Sequence, residues 1–144
     1  MILISHRGNL NGIDTKNENR PDYIINALEH GFDVEIDVRA FKNKLYLGHD
    51  EPEYEISNNF IENEKLWCHA KEPGALELIS KLKCTYFWHQ NDDYTLCSNG
   101  YFWVYPGKKI IKNSICVLPE KFNDNYQGCS GICSDYIEKY KKYD

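Results

Sequence analysis

The stretch that decides the fold is VEIDVRAFKNKLYLGHD, which runs from residue 34 to residue 50. Its first half alternates three charged side chains, Glu35, Asp37 and Arg39, with aliphatic ones. A period of two residues is typical of a β-strand with one apolar face and one charged face. A polar turn and the short apolar segment LYLG then lead to His49 and Asp50. The stretch therefore predicts a strand that carries two carboxylates on one face and is followed closely by a histidine.

The length and composition of the chain are those of one globular domain over residues 1–144. The chain is 42% hydrophobic and 27% charged, which are ordinary values. The net charge of −5 gives no support for nucleic-acid binding. The segment MILISHRG is too short for a signal sequence, and there is no apolar run of about 18 residues. We therefore expect a cytoplasmic protein without an integral membrane segment.

The six cysteines favour buried thiols over disulfides or a zinc site. Four of them lie in or beside apolar segments such as LWC and SICVL, where a reduced cysteine behaves as a small core residue. The closest pair, Cys129 and Cys133, lacks the spacing of a typical zinc-binding pair.

Eight segments besides LYLG have the composition of strands. They cover residues 2–5, 33–40, 65–70, 85–89, 94–98, 101–105, 114–118 and 131–134. Helices are predicted over residues 21–30, 73–82 and 135–142. The first and third strands are each followed by a helix, whereas the later links are too short for one. The pattern predicts an α/β fold, a compact (β/α)8 TIM barrel with several outer helices reduced or missing. Such barrels usually need about 200 residues or more, so tyrosines, tryptophans or a second subunit in a homodimer would have to cover the bare sides.

Polar side chains collect at the carboxyl ends of the predicted strands. They are His6, Arg7, Glu35, Asp37, His49, His69, Lys71, His89 and Asp135. In a parallel barrel these ends meet at one mouth. Two carboxylates suit a divalent cation such as Mg²⁺ or Ca²⁺, histidines suit proton transfer near neutral pH, and basic side chains suit a phosphate. Together they predict metal-dependent cleavage of a small phosphodiester.

Five short motifs give the chain a resemblance to a known family. They are SHRG (5–8), NEN (17–19), EHGFD (29–33), VEIDV (34–38) and GHD (48–50), with weaker matches at HAK (69–71) and GICSDY (131–136). In order and spacing the chain resembles the glycerophosphodiester phosphodiesterases, within the phospholipase-C-like phosphodiesterase TIM barrels.

The resemblance implies a role for each matching residue. It implies His6 and His49 as the catalytic acid–base pair, Glu35, Asp37 and Glu18 as metal ligands, and Arg7 and Lys71 as phosphate-binding residues. The attacking group in this family is water or a neighbouring hydroxyl of the substrate, and the latter yields a cyclic phosphate.

Two positions depart from the family. Arg20 and Pro21 stand where the family usually has threonine and the residue after it. The third strand usually offers Glu-x-Lys, whereas this chain has His69-Ala70-Lys71. We expect His69 to be a metal ligand, and a nitrogen ligand shifts the preference towards Mn²⁺; the alternative is that His69 contacts only the phosphate.

Two other functions remain open at this level. One is a phospholipase-D-like lyase that forms a cyclic phosphate, and the other is a non-catalytic barrel that binds a phosphodiester or a partner. Asp135 is expected to cap the last helix, and His89 is expected to belong to the scaffold.

Overall fold

A computed structural model describes residues 1–143 of the chain, which form ten strands and three α-helices. The strands are β1 (Ile2–His6), β2 (Asp33–Phe41), β3 (Lys44–Leu47), β4 (Tyr54–Ile56), β5 (Leu66–Ala70), β6 (Thr85–Trp88), β7 (Tyr94–Leu96), β8 (Phe102–Val104), β9 (Ser114–Val117) and β10 (Gly131–Ser134). The α-helices are α1 (Pro21–Glu29), α2 (Asn58–Ile61) and α3 (Pro73–Ile79). Two 3₁₀ helices, Pro119–Lys121 and Ile137–Tyr143, flank β10.

The ten strands form one curled, mixed sheet. Seven of them run parallel in the order β6-β5-β2-β1-β10-β9-β8. β7 pairs antiparallel with β8, while β3 and β4 form an antiparallel extension on the second half of β2. Because the seven parallel strands point the same way, their carboxyl ends lie along the same edge of the sheet.

The two faces of the sheet have different apolar layers. The outer layer lies between the sheet and the helices α1 and α3, and it includes Ile24 of α1, Ile36 of β2 and Cys68 of β5. The inner layer is rich in aromatic residues and includes Trp67, Phe87 and Trp103. Neighbouring residues of a strand point to opposite faces, so the burial of Ile36 under the helices directs its neighbour Glu35 to the inner face.

The predicted (β/α)8 TIM barrel is wrong. The chain is mostly strand in a curled half-barrel, it is only 20% helical, and two of its three α-helices, α1 and α3, span more than four residues. After β6 no link between strands contains an α-helix, and the longest one, from β9 to β10, contains only the 3₁₀ helix Pro119–Lys121. In addition, β7 reverses direction to form a hairpin with β8. The loop of this hairpin contains Asn99-Gly100, with Gly100 at φ +89°, and this dipeptide is a strong hairpin signal. The antiparallel strand could therefore have been recognised from the sequence.

The structure confirms the eight predicted strands and adds β4 and α2. The first helix ends at Glu29, one residue earlier than predicted, and the second ends at Ile79. The last predicted helix is a 3₁₀ helix, Ile137–Tyr143. Within residues 1–143 no helix has the length and hydrophobicity that crossing a membrane requires.

Candidate functional site

The carboxyl edge of β1, β2 and β5 brings most of the predicted site residues together. The register places His6 beside Glu35, and Asp37 beside His69. The side chains of Glu35 and Asp37 are 2% and 0% exposed. The parallel arrangement of these three strands therefore gathers two carboxylates and two imidazoles on the inner face.

Glu35, Asp37 and His69 each place one potential metal-ligand atom in the same part of the interior. Nδ1 of His69 lies 3.5 Å from Oε1 of Glu35 and 3.5 Å from Oδ1 of Asp37, and the three ligand atoms are within 4.8 Å of one another. Nε2 of His69 lies 3.1 Å from the carbonyl oxygen of His89. A carbonyl oxygen only accepts, so Nε2 donates to it, and this bond turns Nδ1 towards the two carboxylates. The group is suited to a cation at its centre.

Two oxygen atoms of this group lack hydrogen bonds. Among the described residues, Oε2 of Glu35 and Oδ1 of Asp37 are buried without a hydrogen-bond partner. Buried carboxylate oxygens are costly unless a partner compensates them. The pair of carboxylates and the imidazole nitrogen match the donors that Mn²⁺ and similar divalent ions accept, so these residues fit a metal.

The overall charge of the site also favours an additional cation. The site contains four carboxylates and two permanent cations, which are Glu18, Glu35, Asp37, Asp135, Arg7 and Lys71. Nε of Arg7 lies 2.9 Å from Oδ2 of Asp37, and Nζ of Lys71 lies 3.8 Å from Oδ1 of Asp37. The carboxylates therefore exceed the permanent cations by two charges, which one divalent ion would balance.

Asn19 fixes the orientation of Asp37. Its side-chain amide donates to Oδ2 of Asp37 at 2.9 Å, and its side-chain oxygen accepts the backbone N–H of Asp37 at 3.0 Å. The backbone of Asn19 is left-handed, with φ +63°, a conformation that asparagine tolerates better than most residues. The NEN motif at residues 17–19 thus contributes its second asparagine to the site, a role that the sequence pattern did not predict.

His6 is held by an aspartate from the far end of the chain. Its Nδ1 lies 2.7 Å from Oδ1 of Asp135, and its Nε2 lies 3.8 Å from Oε2 of Glu35. Burial by itself lowers the pKa of His6, but the hydrogen bond to Asp135 and the charge of Glu35 outweigh it, so the pKa is raised. Burial raises the pKa of Asp135, but the hydrogen bond and charge of His6, together with the Asn9 hydrogen bond and the charge of Arg7, outweigh it, so that pKa is lowered. The carboxylate of Asp135 therefore orients the imidazole, and the expectation that it caps the last helix is corrected.

Asn9 connects the Asp135 carboxylate to the loop that carries Glu18. The side-chain amide of Asn9 donates to Oδ1 of Asp135 at 2.8 Å and to Oε1 of Glu18 at 2.9 Å. Glu18 also lies 3.4 Å from Nη1 of Arg7. Glu18 is not part of the described three-residue group that could hold a metal, so its assignment as a ligand stays a prediction.

His49 lies on the rim of the same pocket. Its side chain is 44% exposed, and Nδ1 lies 2.8 Å from Oδ1 of Asp50. Arg39 holds the backbone beneath it by donating to the carbonyl oxygens of Gly48 and His49 at 3.1 and 2.5 Å. A Cβ on Gly48 would collide with the backbone carbonyl of Glu51, so only glycine fits the turn that presents His49.

The pocket at this edge has a volume of about 400 Å³, within the range of ligand pockets of about 300–1,000 Å³. Its lining includes the predicted His6, Arg7, Glu35, His49, His69 and Lys71. His89 also lines it, although it was expected to belong to the scaffold. A second set of lining residues, Trp103, Tyr105, Pro106, Val117 and Leu118, comes from β8, β9 and the segments after them.

Comparison of the chain with protein-family models, with curated proteins and with solved structures found no match. The assignment of a function therefore depends on the geometry and chemistry of this pocket.

Proposed function

We propose that this protein is a metal-dependent phosphodiester hydrolase of the glycerophosphodiester phosphodiesterase type. The observation that carries the proposal is the buried convergence of Glu35, Asp37 and Nδ1 of His69 beside the Asp135-supported imidazole of His6. This arrangement combines a cation site with a proton-transfer group in one pocket, which phosphodiester cleavage requires.

The proposed metal ligands are Glu35, Asp37 and His69. A divalent ion held there would neutralise negative charge that develops on the phosphoryl oxygens. Mn²⁺ suits a mixed set of two carboxylates and one imidazole, whereas Mg²⁺ and Ca²⁺ prefer sites made of oxygen alone.

The remaining polar side chains have roles that match their positions. Arg7 and Lys71 border the carboxylates and line the pocket, where their positive charges would orient a phosphate. His6 faces the interior through Nε2, and His49 approaches from the rim. One imidazole would accept the proton of the attacking oxygen, and the other would donate a proton to the leaving oxygen.

The wider biological setting is part of the same proposal. The substrate would be a glycerophosphodiester or a similar small phosphodiester, with no role for nucleic acid. The six free cysteines are compatible with the reducing cytoplasm. The exposed Leu96 on β7, at the end of the sheet order, would be covered in a homodimer.

Hydrolysis of bis(p-nitrophenyl) phosphate and glycerophosphocholine, with and without added Mn²⁺, Mg²⁺ or Ca²⁺, tests the proposal. We expect metal-dependent turnover that falls by about 10²- to 10⁴-fold in His6→Ala. His30→Ala is the matched control, because His30 is an exposed histidine at the end of α1 whose side chain, among the described hydrogen bonds, contacts only the carbonyl of Asn26.

The products and the variants separate the competing functions. Release of choline together with a cyclic phosphate would assign the protein to the lyases. Folded, metal-loaded protein that cleaves neither substrate would contradict the hydrolase proposal, as would full activity in His6→Ala.

A further inference from the structure

The pocket continues beyond the charged cluster into an apolar half. Its residues are Trp103, Tyr105, Pro106, Val117 and Leu118. They come from the ends of β8 and β9, on the side of the sheet away from β2 and β5. The proposed phosphate-binding chemistry uses none of them, so the pocket has room and surface for a further part of the substrate.

Tyr105 provides a flat surface in this half. Tyr105 is 44% exposed. Its ring stacks on that of His89, with centroids 5.7 Å apart and an interplanar angle of 29°. Nδ1 of His89 lies 3.0 Å from Oγ1 of Thr95, and this hydrogen bond fixes the orientation of the imidazole. The fixed imidazole therefore supports one face of the tyrosine ring.

Leu118, which follows β9, lines the same half of the pocket and has an unusual backbone conformation. Its φ is +47°, which is uncommon for a bulky residue and is maintained only where the surroundings determine it. The backbone N–H of Leu118 donates to the carbonyl of Cys133 at 2.7 Å, and its carbonyl accepts the N–H of Lys121 at 3.0 Å. These bonds hold the leucine and the start of the 3₁₀ helix against the pocket.

A polyol such as glycerol is poorly matched to this surface. Hydroxyl groups that lose water need hydrogen-bond partners, and leaving them unpaired is costly. Pro106, Val117 and Leu118 offer no side-chain partner for a hydroxyl, so at this end of the described pocket such partners are limited to Gln90, Lys121, the Trp103 indole N–H and the Tyr105 hydroxyl. A planar apolar group, in contrast, gains both burial and stacking there.

We infer that the apolar half of the pocket, with Tyr105 as its stacking surface, binds an aromatic or similarly planar substituent of the phosphodiester substrate. The inference rests on the proposed phosphodiesterase function, since it assigns the alcohol side of the same site. Within the small phosphodiesters proposed above, the inference therefore favours those with an aryl group over glycerophosphodiesters, whose glycerol substituent would make little contact with Tyr105.

The test compares two substrates across three variants in the presence of Mn²⁺. For bis(p-nitrophenyl) phosphate, Tyr105→Ala should lower kcat/KM by about two- to twelvefold, mostly through KM. For glycerophosphocholine the same variant should stay within about twofold of the wild type. Comparing variants on each substrate removes the intrinsic difference between the two leaving groups.

Two further variants serve as controls. Tyr105→Phe keeps the ring and should restore most of the kcat/KM on the aryl diester that Tyr105→Ala loses. Tyr94→Ala removes a tyrosine of similar exposure, 40%, which lies on β7 outside the described pocket lining, and it should change neither rate. Equal losses on both substrates in Tyr105→Ala, or no loss on the aryl diester, would overturn the inference.

A binding measurement decides the inference independently of turnover. Trp103 lies in the pocket wall, so its fluorescence should report titration of the Mn²⁺-loaded protein with phenyl phosphate and with inorganic phosphate. We expect the wild type to bind phenyl phosphate more tightly than inorganic phosphate. In Tyr105→Ala the two affinities should become equal. Equal affinities in the wild type would contradict the aromatic subsite, whereas an inactive wild type that still prefers phenyl phosphate would contradict only the hydrolase proposal.

Discussion

Glu35→Gln should change the stability of the protein in opposite directions without and with metal. In the metal-free protein, Glu35 and Asp37 are buried carboxylates in a group whose ligand atoms lie within 4.8 Å of one another. Two like charges at that distance repel by about 3 kcal/mol at an effective dielectric constant of about 20. Attraction of Glu35 to Arg7 and His6 offsets part of this, so the neutral glutamine should stabilise the metal-free fold by about 1–2 kcal/mol.

With metal the sign reverses because the variant loses a ligand. At a free Mn²⁺ concentration of about 100 times Kd, the wild type gains about 2.7 kcal/mol. For a domain of this size that corresponds to a rise in Tm of about 5–10 °C. Glu35→Gln should gain much less, so its Tm should lie above that of the wild type in a chelator and below it in Mn²⁺.

Thermal unfolding in EDTA and in MnCl₂ measures both effects. Glu77→Gln is the control, because Glu77 is a glutamate on α3 whose side chain is 73% exposed, and it should leave both midpoints within about 1 °C. A wild type that does not respond to Mn²⁺, together with a Glu35→Gln variant that is less stable in EDTA, would show that the carboxylates do not form a metal site.

Three further predictions concern Asn19, the pair of His6 and Asp135, and the buried cysteines. Asn19→Ala removes a reciprocal pair of hydrogen bonds to a buried aspartate and should lower the free energy of unfolding in urea by about 1–3 kcal/mol; an unchanged midpoint would contradict this. Because its pKa is raised, His6 should contribute fully to the free energy of unfolding at low pH, and this contribution should be lost as the pH rises through that pKa. Because its pKa is lowered, Asp135 should contribute above the ordinary carboxyl range, and its contribution should be lost on acidification. His6→Ala, in EDTA, should therefore flatten the fall in Tm above neutral pH, and a slope identical to that of the wild type would argue against the pair. Burial raises the thiol pKa values of Cys97 and Cys116 to about 12, so neither should react with a disulfide reagent at pH 8 before unfolding, as mass mapping would reveal.

Local patterns predicted the elements well and their connections poorly. The two-residue period of β2 and the apolar composition of the other strands are local properties, and each such segment is a strand. The direction of β7 depends on how a loop of a few residues can turn. The Asn99-Gly100 signal for that turn is present in the sequence, but the prediction of a barrel did not take it into account.

The candidate site divides in a similar way. His6, Arg7, Glu35, His49, His69 and Lys71 were predicted from the sequence and line one pocket. The positioning contacts of Asn9 and Asn19 were missed, because an asparagine in a loop carries no signal that distinguishes a turn residue from a partner of a buried carboxylate. The aromatic surface of Tyr105 was also missed, since the pattern of β8 is equally typical of a pocket wall and of a core strand.

The amino-acid sequence by itself determined which residues form strands and which face carries Glu35 and Asp37. This is because side chains alternate along a strand, and burial of Val34 and Ile36 on one face leaves the carboxylates on the other. Only the tertiary structure decided what surrounds them. The contact of His6 with Asp135 joins residues 129 positions apart, and the ring of His69 is oriented by a bond to a carbonyl on another segment of the chain. Such contacts depend on how the strands are ordered in the sheet, and no local pattern of residues encodes that order.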